Sequence, residues 1–363
     1  MPDRKKLAIF LWPFSLLYQI IVTSRNLLFD WGIIKSEKFD IPVISIGNIT
    51  VGGTGKTPHT EYLIQLLQNR FCLAVLSRGY KRQSKGFVLG SRKSTVKDIG
   101  DEPLQIKRKF PKITVAVDAK RKEGIQTLLN LGEETKKPYD VILLDDAYQH
   151  RYVVPGLSIL IIDYNNPIDE DRILPAGNLR EPEKEKHRAN IIVVSKCPEN
   201  LKPIDLRILK KRFKTSSHQS LYFTGLRYSE PQSVFNHTRL FESINENSTA
   251  LIVTGIANPD IFKKHIDGVV KKSELLEFPD HHQFTQKDFD TILKRFREIE
   301  NSDKVIVTTE KDAIRLIEIE QIIPKEIKSI LYYIPVRVEL LYNGKKEFDK
   351  TILDYVSQNK RNR

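Results

Sequence analysis

The residues best suited to chemistry lie in a glycine-rich loop between an apolar strand and a helix. The run Ile41–Ile46 is followed by GNITVGGTGKTP and then by helical spacing from about Pro58. In a phosphate-binding P-loop, which has this order of elements, backbone N–H groups and a helix N-terminus face phosphate oxygens. Lys56 would then reach the outer phosphates, and the Thr57 hydroxyl would hold Mg²⁺.

One position of this loop departs from the usual pattern G-x-x-x-x-G-K-[ST], because Thr50 occupies the place of the first glycine. The remaining glycines still allow the backbone to approach a phosphate closely. An ordinary glycine-rich turn is the alternative, but it leaves the lysine and threonine unexplained. The predicted nucleotide-binding residues are Gly52, Gly53, Thr54, Gly55, Lys56 and Thr57.

A P-loop also needs an acid at the end of a neighbouring strand to orient the metal ion. The apolar run Val141–Leu144 ends in Asp145 and Asp146, which supply it. These carboxylates could instead cap the next helix, although AYQHR is a poor helix start. The strand Ile191–Val194 is followed by SKC rather than by the Asn-Lys-x-Asp signature for guanine, so ATP is favoured over GTP.

Transfer of a phosphoryl group to a hydroxyl requires a carboxylate or a supported imidazole, together with cations around the moving group. Asp101 in IGDEP, His281 in FPDHHQF and Arg180-Glu181 in LPAGNLREP are candidates. Each also has a structural interpretation, since Asp101 could cap a helix and the two histidines could be loop polar groups. The spacing TEKD at 309–312 is interpreted as a helix cap.

A basic segment, SRGYKR at residues 77–82, follows another predicted strand and gathers three cations around Tyr80. It is typical of a loop that recognises a phosphorylated group, and a solvated basic turn is the alternative.

These residues must be positioned by a chain of 363 residues, of which 40% are hydrophobic and 29% charged. This composition excludes a disordered or fibrous protein and allows two ordinary domains. The net charge of +13 favours an anionic partner: a phosphorylated small molecule, a nucleic acid or an acidic membrane. Cys72 and Cys197 form neither a metal-ligand pattern nor a disulfide framework, as expected for a cytosolic chain.

Short apolar runs alternate with helical patterns, which predicts an α/β fold with a P-loop-type, mainly parallel sheet flanked by helices. A second α/β pattern begins near residue 245 and includes the predicted strands Leu251–Thr254, Val305–Thr308 and Ser329–Val338. The predicted domains are an amino-terminal helix at 1–35, a P-loop kinase domain at 36–245, a smaller α/β domain at 246–345 and a basic tail at 346–363.

The amino-terminal run LAIFLWPFSLLYQIIV, at 7–22, is short and interrupted for a membrane span, and no signal-peptide cleavage site follows it. A helix here would carry a polar stripe opposite a broad apolar face. It would lie in a membrane interface or pack on the core of its own domain. The polar stripe is Ser15, Gln19, Thr23, Asn26 and Asp30, and the apolar side is Leu16, Leu17, Ile20, Ile21, Leu27 and Leu28.

Seven motifs, in order, resemble the tetraacyldisaccharide 4'-kinase family of lipid A biosynthesis. They are SIGNITVGGTGKTP, LSRGYKR, GDEP, LDDAYQHR, LPAGNLREP, FPDHH and TEKDA, and they span about Ile44 to Asp312. Ala147 and Tyr148 stand where the family often has Gly-Phe, a departure expected to affect packing more than chemistry.

The resemblance implies an enzyme that uses ATP and Mg²⁺ to phosphorylate the 4' hydroxyl of tetraacyldisaccharide 1-phosphate, giving lipid IVA. It also implies a monotopic protein at the cytoplasmic face of a Gram-negative inner membrane, with no nucleic acid or obligate protein partner. A membrane-associated P-loop ATPase or switch that drives a protein partner is the alternative, although Val51 stands where many such proteins carry a signature lysine.

The resemblance also assigns roles to individual residues. Asp101 matches the catalytic aspartate and His281 the histidine paired with it, with His282 as the other candidate; a carboxylate that orients an imidazole makes chemical sense. Because one lies early and the other late in the chain, they are expected in different domains. Asp145 or Asp146 with Glu181 completes the metal environment, Arg121 and Arg180 contact phosphate, and Arg78 and Tyr80 meet the lipid head group.

Overall fold

The computed structural model describes the backbone of residues 4–235 and 244–361, and the side chains within residues 10–235 and 244–359. In chain order the strands are β1 Val43–Gly47, β2 Leu73–Ser77, β3 Val88–Leu89, β4 Thr114–Val117, β5 Val141–Asp145, β6 Leu157–Asp163, β7 Ile191–Ser195, β8 Ser220–Tyr228, β9 Gln232–Ser233, β10 Thr249–Thr254, β11 Lys272–Glu277, β12 Lys304–Thr309, β13 Leu331–Ile334 and β14 Val336–Leu340.

The helices alternate with these strands. They are α1 Arg4–Asp30, α2 Lys56–Leu67, α3 Val96–Ile99, α4 Asp101–Lys109, α5 Arg121–Glu134, α6 Pro203–Phe213, α7 Asp260–Asp267, α8 Gln286–Arg297, α9 Glu310–Glu318, α10 Lys325–Lys328 and α11 Gly344–Arg361, with 3₁₀ turns at Glu183–Arg188 and Glu320–Ile322.

The larger sheet has nine strands in the order β14-β8-β7-β6-β1-β5-β2-β4-β3. Strand β1 lies between β5 and β6 and is parallel to both, with Ile46 opposite Asp145. All residues of β1, β2, β5, β6 and β7 are buried, as the predicted apolar runs require of strands covered on both faces. The predicted parallel α/β sheet is confirmed, and it brings the ends of β1 and β5 together.

The smaller sheet has the order β11-β10-β12-β13-β9, in which only β9 is antiparallel to its neighbour. The chain forms two compact units: the first comprises 1–93, 106–226 and 338–363, and the second comprises 94–105 and 227–337. Residue 245, where the sequence predicted a boundary, therefore falls inside the second unit. The early segment 94–105 also belongs to the second unit, because it packs there rather than with its neighbours in sequence.

Two segments differ from their predicted form. The run Ser329–Val338 is divided between β13 and β14, which lie in different sheets on either side of Pro335. The predicted basic tail is the larger part of α11, which joins the core of the larger sheet. Its spacing of four residues explains this packing, since the apolar side chains fall on one face. They are Phe348, Ile352 and Val356.

The amino-terminal helix α1 turns part of its polar stripe inward and leaves its apolar side exposed. Ser15 and Asn26 are buried, and the Ser15 hydroxyl accepts a hydrogen bond of 2.9 Å from the backbone N–H of Ala176. The exposed apolar side chains include Trp12, Phe14, Leu16, Leu17, Ile20, Ile21 and Leu27. Within the described residues, no helix has the length and hydropathy needed to cross a bilayer.

The close approach of β1 to the chain after β5 gives a prediction about stability. A methyl group on Gly47 would lie 2.8 Å from the Tyr148 Cβ and 2.9 Å from its backbone nitrogen. Gly47→Ala should therefore lower the free energy of unfolding in urea by about 1–3 kcal/mol, because neither atom can move freely. Gly53→Ala is the matched control, since nothing lies within 4 Å of its added methyl. Equal stability of the two variants would contradict this packing.

Candidate active site

The glycine-rich loop runs from the end of β1 to the first residue of α2, Lys56, as the sequence predicted. Gly52 and Gly55 have positive φ angles of 105° and 92°, which favour glycine over other residues. Gly55 precedes the helix directly, so the free N–H groups of the first turn of α2 point out of its N-terminus. The loop therefore has the backbone form that binds phosphate.

Asn48 organises the interior of this loop, and the sequence analysis did not single it out. Its side chain is fully buried and its amide donates to the hydroxyls of Thr50 and Thr54, at 3.3 and 3.0 Å. Its side-chain oxygen accepts from Lys56 Nζ at 3.3 Å. Thr50, the residue at the place of the usual first glycine, thus serves as a hydrogen-bond partner within the loop.

A second segment, residues 178–180, holds the outer side of the loop. The backbone N–H of Val51 donates to the carbonyl of Asn178 at 2.8 Å, and that of Arg180 donates to the carbonyl of Ile49 at 2.7 Å. The predicted motif LPAGNLREP therefore supports the loop through its backbone as well as through its charges.

The two aspartates that follow β5 have different surroundings. Asp145 is buried and its carboxylate accepts from the Thr60 hydroxyl at 2.9 Å and from the Ser77 hydroxyl at 3.2 Å. Asp146 has a positive φ of 47° and faces cations: its carboxylate lies 3.6 Å from Lys56 Nζ and 3.7 Å from an Arg180 nitrogen. Its buried Oδ1 has no hydrogen-bond partner among the described residues.

Arg121 lies beneath this acidic pair. Its guanidinium donates to the carbonyl of Asp118 at 2.6 Å and to that of Asp145 at 3.4 Å. Burial lowers the pKa of Arg121 to about 10, although the charges of Asp145 and Asp146 act in the opposite direction. Arg121 therefore stays charged at neutral pH and places a buried positive charge behind the carboxylates.

Glu181 is buried and linked to the amino-terminal helix. One carboxylate oxygen accepts from Asn26 Nδ2 at 3.2 Å, and the other accepts from Arg188 at 2.5 Å. Burial raises the pKa of Glu181, and the charge of Arg188 opposes this effect. The Tyr18 hydroxyl also donates to the carbonyl of Arg180 at 3.1 Å, so α1 contacts both residues of this predicted pair.

The predicted head-group residues Arg78 and Tyr80 lie in the loop that follows β2 in the first unit, and both side chains are exposed. Tyr80 is 60% exposed, with the Lys81 ammonium 5.8 Å from its ring centroid. An exposed aromatic ring beside cations is suited to a sugar phosphate, because it offers an apolar face and charge together.

In the second unit, Asp101 and His281 form a direct pair. His281 Nδ1 lies 2.8 Å from Asp101 Oδ2, whereas His282 Nε2 lies 3.0 Å from Asp288. Both members of the pair belong to this unit, so the expectation that they lie in different domains was wrong. The segment that carries Asp101 packs here although it is 180 residues away in the chain.

Arg315 shares Asp101 with His281, and the sequence analysis missed it. Its guanidinium donates to Asp101 Oδ2 at 2.5 Å and to Asp312 Oδ1 at 2.9 Å. Asp312 also accepts from the Thr254 hydroxyl and from the backbone N–H of Gly255, each at 3.0 Å. The motif TEKDA, interpreted as a helix cap, does cap α9 through Thr309 and also supports Asp101.

These contacts determine the ionisation of Asp101. Burial opposes the charged form, but the hydrogen bond from His281 and the charges of Lys311 and Arg315 hold the pKa of Asp101 well below its usual range. Asp101 is therefore a carboxylate at neutral pH. Asp101 Oδ2 and an Arg315 nitrogen lie 2.8 and 3.2 Å from His281 Nδ1, so these two groups together orient the imidazole ring.

The first unit thus defines a P-loop protein, with a lysine and an acidic strand end at a phosphate-binding loop. The family model described as tetraacyldisaccharide-1-P 4'-kinase matches residues 7–357. This chain belongs to that family, as its motifs predicted.

Individual relatives agree with the family match. The chain is 46% identical to a tetraacyldisaccharide 4'-kinase of Bacteroides thetaiotaomicron, over 98% of this chain and 95% of the relative. It is 48% identical to one of Phocaeicola vulgatus, over 98% and 97%. A crystal structure of LpxK from Aquifex aeolicus, described as an "apo" form in complex with ATP, matches with a TM-score of 0.74 and 29% identity, over 96% of this chain and 99% of that one.

The buried charges around Asp101 predict a pH-dependent stability. Its pKa is lower in the folded protein than the value of about 3.9 in an unfolded chain, so its ionised form stabilises the fold above that pH. This contribution is lost as the pH falls through the folded pKa. Asp101→Asn should lower the free energy of unfolding by roughly 3 kcal/mol at pH 7, because Arg315 and Lys311 lose a buried anion.

The difference between Asp101→Asn and the unmodified protein should begin to shrink below about pH 4, because the unfolded chain there takes up a proton that the folded Asp101 carboxylate still lacks. Denaturant titrations from pH 3 to pH 7 measure it. Asp290→Asn is the control, because Asp290 is exposed and lies in the same unit. A difference that stays constant over this pH range would show that Asp101 is not ionised by these contacts.

Proposed function

We propose that this protein transfers the γ-phosphoryl group of ATP to the 4' hydroxyl of tetraacyldisaccharide 1-phosphate, forming lipid IVA. The observation that carries the proposal is the cluster at the end of β1, where Lys56 and Arg180 face Asp146 beside a glycine-rich loop. The family membership supplies the acceptor, and the crystallised relative is described as a complex with ATP.

The phosphate-donor side uses the loop and the cations around it. The backbone of Gly52–Gly55 and the N-terminus of α2 bind the phosphates, and Lys56 neutralises their outer oxygens. Arg180 lies at the same carboxylate and stabilises the negative charge of the transferring group. Arg121, buried behind the aspartates, offsets part of their negative charge.

A divalent metal ion fits the same place. The buried Asp146 Oδ1 lacks a hydrogen-bond partner among the described side chains, and a carboxylate oxygen is a ligand that Mg²⁺ prefers. We propose that Asp146 and the Thr57 hydroxyl hold Mg²⁺, with Asp145 beside them. The described residues contain no group of three His, Cys, Asp or Glu side chains placed to hold a metal ion, and both oxygens of Glu181 are held by Asn26 and Arg188. Bound there, Mg²⁺ would neutralise charge on the phosphate oxygens.

The acceptor side uses Asp101 and His281. The Asp101 carboxylate orients the imidazole of His281 through Nδ1, and this pair accepts the proton of the 4' hydroxyl as that oxygen attacks phosphorus. Arg78 and Tyr80 bind the head group of the acceptor.

The apolar side of α1 indicates how the enzyme meets a lipid substrate. Ser15, Tyr18 and Asn26 on its inward face are hydrogen-bonded to residues 176–181. The leucine and isoleucine side chains on the opposite face are therefore exposed rather than packed in the core. We propose that this side lies in the membrane interface, at the cytoplasmic face of the inner membrane. The acyl chains of the substrate would then remain in the bilayer while its sugar reaches the enzyme.

Transfer of radiolabel from γ-labelled ATP to tetraacyldisaccharide 1-phosphate in detergent micelles tests the reaction. Lys56→Ala should reduce turnover by roughly 10²–10³-fold, through lost charge stabilisation. Asp101→Ala should reduce it by roughly 10²–10⁴-fold, through lost base catalysis, and His281→Ala should also be impaired. His282→Ala is the matched control, since its imidazole pairs with Asp288.

The products distinguish the two functions considered from the sequence. Labelled lipid that disappears with Asp101→Ala establishes the kinase. Free phosphate without labelled lipid, stimulated by a protein, would instead establish the P-loop ATPase. Full activity of Asp101→Ala would remove this residue from the chemistry.

Flotation with anionic lipid vesicles tests the role of α1. Leu17→Glu and Ile21→Glu place a charge on its exposed apolar side and should each reduce vesicle binding on the order of tenfold. Gln19→Glu introduces the same charge at an exposed position of the polar stripe and should bind nearly as the unmodified protein does. Equal binding of all three variants would assign membrane contact to another surface.

A further inference from the structure

The side chain of His59, in the first turn of α2, is buried and has no part in the chemistry above. Its two ring nitrogens both have partners. Nδ1 lies 2.7 Å from the carbonyl oxygen of Gly55, and Nε2 lies 3.0 Å from the Thr224 hydroxyl. The ring thus connects the last glycine of the phosphate-binding loop to strand β8.

These partners determine where the ring carries its proton. A carbonyl oxygen only accepts hydrogen bonds, so Nδ1 must be the protonated nitrogen. Nδ1 therefore donates to the Gly55 carbonyl, and Nε2 lies against the Thr224 hydroxyl.

The carbonyl bonded to His59 belongs to Gly55, and glycine has little conformational preference of its own. Gly55 has a φ of 92°, and a methyl group there would lie 2.9 Å from the Ser195 hydroxyl oxygen. The position therefore requires glycine, whose backbone can rotate more freely than that of other residues. The helical hydrogen bond from the backbone N–H of His59 to Gly55 is 3.3 Å long, so the side chain makes the shorter contact.

The orientation of this carbonyl also orients the next N–H group. The peptide unit is planar and trans, so the C=O of Gly55 and the N–H of Lys56 point in opposite directions. With the carbonyl turned inward to His59, the N–H of Lys56 points away from the helix interior, toward the open side of the loop.

We propose that His59 is a positioning residue for the nucleotide: it fixes the Gly55–Lys56 peptide so that the Lys56 N–H and side chain meet the phosphates. The inference rests on the proposed function only in requiring a nucleotide at this loop. It assigns His59 no contact with the nucleotide itself.

Two substitutions separate the contacts of the imidazole. In His59→Asn, the side-chain amide can take the place of Nδ1 and still donate to Gly55. In His59→Gln, the longer amide reaches the place of Nε2 and Thr224 but leaves the Gly55 carbonyl without its side-chain donor. Calorimetric titration with MgATP, without lipid, should show affinity about tenfold weaker for His59→Gln, equivalent to about 1.4 kcal/mol. His59→Asn should stay within about threefold of the unmodified protein.

Ile64→Val is the matched control for stability, because Ile64 is a buried residue of the same helix. It should lower the melting temperature without changing MgATP affinity. Unchanged affinity of His59→Gln would overturn the proposal and leave His59 as a core residue. Equal weakening by the Asn and Gln variants would also overturn it, since only one of them loses the donor to Gly55.

A second measurement does not depend on the folding of any variant. Nitrogen NMR of histidine-labelled protein should show a proton on Nδ1 of His59 at pH 7. A proton on Nε2 alone would overturn the proposal, because Nδ1 could not then donate to the carbonyl. Failure of the kinase assignment would look different: the unmodified protein would bind MgATP and label no lipid.

Discussion

The glycine-rich loop after β1 keeps one conformation only if neighbouring residues hold it by hydrogen bonds. The rest of the first unit is arranged to make those bonds. Glycine loses more conformational freedom on ordering than other residues, so hydrogen bonds must provide the preference that the backbone lacks. Here the Asn48 side chain bonds to the loop from inside, and the backbone of residues 178–180 bonds to its outer side. His59 bonds to the carbonyl of Gly55, the last residue of the loop. These contacts come from the loop itself, from residues 178–180 and from α2, all in the first unit. The sheet and helices therefore serve to bring these side chains to one end of β1.

In the second unit, the side chains around Asp101 keep its buried carboxylate ionised. Asp101 lies among His281, Arg315 and Lys311, and Arg315 is in turn held by Asp312. Removing any one partner changes the charge balance for the others, because a buried ion depends on its partners more than an exposed one does. The orientation of His281 is thus set by residues that need not touch a substrate.

Local patterns predicted the buried strands and the phosphate-binding loop, because their residues are consecutive in the chain. Ile191–Val194 is wholly apolar, and GKT directly follows the glycines. Arg315 could not be found this way, since its partner Asp101 is 214 residues away and α9 alone does not indicate it. The split of 329–338 was missed because two strands on either side of one proline resemble a single apolar run. In α11, the basic composition obscured a regular apolar face.

The larger sheet is completed by the last part of the chain, β14 and α11, which follow the second unit. During synthesis, the strands around the phosphate-binding loop emerge first, but their edge strand β14 and covering helix α11 emerge only after the whole of the second unit. The second unit, by contrast, needs no residue beyond about 337. A chain interrupted just after the second unit would thus still expose apolar surface of the first unit, while every residue of the second unit is already synthesised.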